Sequence, residues 1–75
     1  MRDFTWGDSV RVKAEAPSKM RPGTLAAICA ITEIEYEAQA KEYGAPIGSK
    51  VYLIEFGDGT SVEIPEVWVE AAAGS

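Results

Sequence analysis

The chain has no histidine and a single cysteine, Cys29, among its 75 residues. Without histidine, acid–base chemistry near neutral pH would fall to a shifted carboxylate, a lysine or the thiol. Ser/His/Asp and Cys/His pairs are excluded outright, and so are the usual zinc patterns of paired cysteines and histidines. One cysteine closes no intrachain disulfide, so packing must hold the fold, with self-association as the other resource. No apolar stretch approaches the roughly 20 residues of a membrane span. Residues 1–6, Met-Arg-Asp-Phe-Thr-Trp, lack the basic-then-apolar order of a signal peptide. A lone thiol without an export signal points to the cytoplasm.

What the chain does carry is ordinary for a folded domain: 47% hydrophobic and 25% charged residues, which argues against disorder. The length fits one domain, taken as residues 1–70, with residues 71–75 expected to be a disordered tail. The formal charge is −5 and unevenly placed. Residues 1–21 hold five basic groups (Arg2, Arg11, Lys13, Lys19, Arg21) against three acidic ones, whereas the remainder holds two against nine. Phosphate-backbone binding scales with clustered Lys and Arg, so nucleic acid is a poor fit and a basic protein partner a better one.

Val10 and Val12 alternate with Arg11 and Lys13, the period of a half-buried strand. A polar loop over 17–23 ends in Pro22-Gly23, a tight-turn pair. The run from Thr24 to Ile34 is apolar at both parities; its alanines and leucine suit a short helix, but the β-branched isoleucines and the entry turn favour a strand, covered on both faces or with its register shifted by a bulge. Residues 35–43 favour a short helix or turn, with Glu37 and Lys41 spaced i,i+4 and Gly44 as a stop. Two alternating runs, 50–56 and 60–64, flank Gly57-Asp58-Gly59 and predict a hairpin. Pro65-Glu66 then breaks the chain, through a single 3₁₀ turn, before a last short strand at Val67–Val69. Five short strands without βαβ spacing indicate a mostly β fold, a barrel or sandwich.

The order Trp6-Gly7-Asp8-Ser9-Val10-Arg11-Val12, then Arg21-Pro22-Gly23-Thr24-Leu25-Ala26-Ala27-Ile28, then Val51-Tyr52-Leu53-Ile54-Glu55-Phe56-Gly57-Asp58-Gly59, then Ile64-Pro65-Glu66-Val67-Trp68-Val69-Glu70 resembles small five-stranded SH3-like barrels. The nitrile hydratase β-subunit barrel, Tudor and KOW modules, and small bacterial proteins of the immunity type or borne on mobile gene cassettes share this layout. Ala26 stands where such barrels often have a second glycine, and the insertion over 35–49, helical or looped, lies between the second and third strands. These motifs specify turns and core, so the resemblance implies a fold more than an activity.

Cys29 lies between Ile28 and Ala30, with no basic residue near in sequence to activate it, and is expected to be a small buried hydrophobe. Asp58 between two glycines reads as a turn residue. Glu33, Glu35 and Glu37 alternate, so an extended strand would place all three on one face, as a solvated face, a landing strip for a basic partner, or a cation site. Among the aromatics, Trp6 and Trp68 are expected to close the two chain ends by packing, and either becomes an interface anchor if exposed. Trp6, Tyr36, Tyr43 and Trp68 join the three glutamates as the candidate partner-binding residues. The expected function is a non-catalytic module, without metal or cofactor, that binds a protein partner through an acidic and aromatic surface. A homodimer, an enzyme-accessory subunit like the nitrile hydratase barrel, and a KOW-like nucleic-acid module are the alternatives.

Overall fold

The computed structural model describes residues 4–72. Five strands form one antiparallel sheet in the order β4-β3-β2-β1-β5: β1 Ser9–Val12, β2 Leu25–Glu33, β3 Lys50–Phe56, β4 Ser61–Pro65 and β5 Val69–Ala71. One helix, α1 (Glu37–Tyr43), lies between β2 and β3, and 3₁₀ turns at Ser18–Met20 and Glu66–Trp68 precede β2 and β5. Among the described residues no helix is long and apolar enough to cross a membrane.

The β3–β4 hairpin forms where Asp-Gly predicts it. Gly59 N–H donates to the Phe56 carbonyl and Phe56 N–H to Thr60, while Gly59 holds φ +89°, which a β-carbon would strain. Val10 and Val12 of β1, Tyr52, Ile54 and Phe56 of β3 and Ile64 of β4, with Phe4, Met20, Ile28 and Val69, make the main core. A smaller cluster of Ile34, Ala45 and Val51 receives Ala40 and Tyr43, and so seats α1 on the sheet. Helix α1 starts without a side-chain cap on Tyr36; instead the Gln39 amide oxygen accepts from Glu35 N–H at 2.8 Å, one position outside a standard capping box. Gly44, left-handed at φ 67°, ends it.

The double parity of β2 resolves into a bulge between Ile28 and Ala30. Ile28 pairs with Ile54 and Ile31 with Tyr52, so both isoleucines meet inward-facing partners although they stand three apart. That is geometrically consistent only if Cys29 and Ala30 together oppose Leu53. Cys29 is consequently exposed, which corrects the expectation of a buried residue. The last strand also starts later than its sequence suggests. Val67 and Trp68 belong to the 3₁₀ turn, and the ladder with β1 continues through Val10–Ala71, with Ala72 buried. Ala71 and Ala72 therefore belong to the fold, and the rest of the expected tail lies outside the described residues.

Candidate functional site

Strand β2 ends at Glu33, the buried Ile34 turns the chain inward, and α1 begins at Glu37. The three glutamates thus share no strand face, contrary to the extended reading. They remain contiguous and exposed, with Tyr36 (57% exposed) between the last two. Residues 33–43 hold four glutamates against one lysine. Lys50 stands opposite Glu33 in the β2–β3 register, and none of the three glutamates has an ion-pair partner within 4.0 Å among the described residues. No three Cys, Asp or Glu side chains among the described residues are placed to share a metal ion.

The remaining candidates are dispersed. Tyr43, at the far end of α1, donates to the Glu63 carboxylate at 3.1 Å; partial burial, then Glu63 and Glu42, push its phenol up from the ordinary value. Trp68 is half-buried against the main core. Trp6 is 74% exposed in the turn before β1, so only one of the two tryptophans packs as an end closure. Its turn is fixed by Asp8, whose N–H donates to the Thr5 carbonyl and whose carboxylate accepts from Thr5 N–H.

A cleft of about 580 Å³ went unseen in the sequence. Phe4, Ala45, Tyr52 and Val69 floor it, and Lys13, Glu66 and Glu70 bring charge to its lining. Phe4 and Tyr52 meet edge-to-face at 5.8 Å between ring centres. Tyr52 is 1% exposed, and its hydroxyl has no hydrogen-bond partner among the described residues. Since none of their fully buried side-chain polar atoms is unsatisfied, that hydroxyl keeps its access to the cleft that Tyr52 lines. Period-2 patterning marks Tyr52 as a core residue but cannot show that Lys13, 44–46, 49, 66–67 and 69–71 converge on it.

Arg21 and Asp58 make a structural clasp between the loop before β2 and the β3–β4 turn. The Arg21 guanidinium lies 4.2 Å from the Phe56 ring centre and donates to Asp58 at 3.0 Å and to Thr60 Oγ1 at 2.7 Å. Hydrogen bonds from the Thr60 hydroxyl, from Arg21 and from Thr60 N–H hold the Asp58 carboxyl well below the usual carboxylate range. Any stability this carboxylate gives is present above its unfolded pKa and lost as pH falls through the folded one. The clasp also occupies one of the basic residues a nucleic-acid face would use. It holds Arg21 at φ 60°, the only non-glycine residue with positive φ among those described. Arg21→Gly is therefore expected to be more stable than Arg21→Ala by about 1 kcal/mol, since both lose the clasp but only alanine keeps the left-handed cost. Urea denaturation of the pair checks this, and equal midpoints would count against a left-handed backbone at 21.

Cys29 Sγ lies 3.6 Å from a Glu55 carboxylate oxygen. Local desolvation against the sheet, and then the Glu55 charge and hydrogen bond, push the thiol up. A raised thiol carries less thiolate at neutral pH, the reverse of an activated nucleophile.

No family model, curated protein or solved structure matches this chain.

Proposed function

We propose that the chain is a non-catalytic protein-interaction module on an SH3-like barrel, and that the exposed run Glu33, Glu35, Tyr36 and Glu37 is its partner surface. Two features of the fold support the barrel reading: the first strand lies between the second and the fifth, and a 3₁₀ turn leads into the last strand. The observation that carries the function is a contiguous acidic stretch, with no ion pair within 4.0 Å among the described residues, around a tyrosine that spends its ring on solvent. Exposed aromatics beside uncompensated charge suit a partner of opposite charge, with the charges setting encounter and register and the ring supplying contact area. The raised thiol and the absence of histidine weigh against catalysis by these side chains.

A triple variant, Glu33→Lys with Glu35→Lys and Glu37→Lys, tests the surface. Tagged wild-type and variant proteins are exposed to nuclease-treated lysate of the native host at low salt. The wild type is expected to retain a stoichiometric protein that the variant loses by at least about tenfold, the scale of one hot-spot residue. Equal retention by the two proteins would sink the acidic-surface reading. Retention that disappears with nuclease would instead favour the nucleic-acid alternative.

A further inference from the structure

We propose that the second half of β2 is an open strand edge that accepts an extended, basic segment of a partner protein as an added antiparallel strand. This rests on the interaction-module reading and specifies how the surface would work.

Strand β1 pairs only with Leu25–Ala27 of β2. Two further bonds, Ile28 N–H to the Asp8 carbonyl and Gly7 N–H to the Ile28 carbonyl, finish that ladder, and the Thr5–Asp8 turn then carries the chain off the edge. From Ala30 to Glu33, β2 has β3 on one side and, among the described residues, no strand on the other. The ladder itself shows which amides face outward. Ile34 N–H donates to Ser49 and lies in the same register as the 30–33 pairs. Main-chain groups alternate in an antiparallel ladder, so Thr32 and Ala30 also face β3, whereas Glu33 and Ile31 face away. The far side of β3 agrees. Phe56 N–H bonds to Thr60 toward β4, which turns Ile54 and Tyr52 toward β4 and leaves Leu53 and Val51 to bond Ala30 and Thr32. Ile31 and Glu33 thus offer two N–H groups and two carbonyls to an incoming strand, the main-chain currency of strand addition.

Charge selects the occupant. The open stretch runs directly into Glu33, Glu35 and Glu37, and a second copy would bring another −5 to the same surface. A basic segment is complementary where a copy of this chain is not. All ladders of the sheet are antiparallel, so the segment's N-terminal end passes the glutamates. Its C-terminal end reaches Ile28, beside the Thr5–Asp8 turn that carries the exposed Trp6. Lysine or arginine is therefore expected early in the segment and an apolar residue late.

The test uses the full chain, ¹⁵N-labelled, and a synthetic peptide of consecutive lysines followed by alternating valine and threonine ending in tyrosine. A second peptide carries N-methyl groups at the positions whose amides would face β2. At saturation, hydrogen exchange at the Ile31 and Glu33 amides is expected to slow at least about tenfold, and N-methylation to weaken binding by about tenfold, the worth of one or two net hydrogen bonds. Equal affinity for the two peptides overturns strand addition. So does a complex in which resonances of residues 35–37 shift while exchange at Ile31 and Glu33 does not, an outcome that leaves the acidic-surface reading standing. Absence of binding by either peptide at low salt removes the basic-segment proposal. Protection of Ile31 and Glu33 that grows with protein concentration alone would assign the edge to a second copy and also overturn it.

Discussion

Ile54→Ala is expected to lower unfolding stability by about 2–5 kcal/mol, a large share of what a domain of this size possesses. Ile54 is 0% exposed on the central strand β3, between Ile28 of β2 and Val62 of β4. Truncation removes three carbons from water-excluded surface and leaves a void that neighbours on two hydrogen-bonded ladders cannot close by shifting. Small domains bury a lower fraction of their surface, so little reserve exists to absorb the loss. Urea unfolding followed by tryptophan fluorescence reads the midpoint. Ile54→Val, which keeps the branched carbon, is expected to cost about 0.5–1.5 kcal/mol. A cost below about 1 kcal/mol for the alanine variant would mean that β3 is not packed on both sides as described.

Tyr52 separates packing from polarity at the floor of the cleft. Tyr52→Ala removes a buried ring that pairs with Phe4 and is expected to cost about 3–5 kcal/mol. Tyr52→Phe keeps the ring and is expected to lie within about 0.5 kcal/mol of the parent, because no described residue accepts from or donates to the hydroxyl. Ordinary buried tyrosines lose about 0.5–1.5 kcal/mol with their hydrogen bond. The same urea curves decide it, and a loss of that size for the phenylalanine variant would reveal a protein partner for the oxygen.

Local chemistry was legible and spatial convergence was not. The β3–β4 hairpin, the helix ending at Gly44 and the 3₁₀ turn after Pro65 each rest on residues adjacent in sequence, so composition sufficed. The doubled parity of β2 announced a bulge as one of two solutions, but its exact place decides that Cys29 points out and Ile31 in. Extending the alternation of Glu33, Glu35 and Glu37 failed because Glu35 N–H bonds to Gln39 of α1 and the helix begins at Glu37, so no strand runs on past Ile34. Trp6 looked like a core residue by type, yet the Thr5–Asp8 turn leaves it facing water. The cleft assembles separate stretches of chain only after β1 and β5 pair, and no periodicity records that pairing. The open half of β2 is likewise a difference in length between neighbouring strands, visible once both ends are placed.

The pairing of β1 with β5 also imposes an order of events during folding. Val12 meets Val69 and Val10 meets Ala71, so the outer side of the first strand waits for the last one. Strands β2 to β4 can zip through neighbouring hairpin and loop connections without the last strand. The final closure spans most of the molecule, carries the largest loop entropy, and comes after the rest of the sheet. Until then the chain exposes the outer side of β1 in addition to that of β4 and the open half of β2, and a chain whose last strand has not docked is the form of this protein most exposed to mispairing.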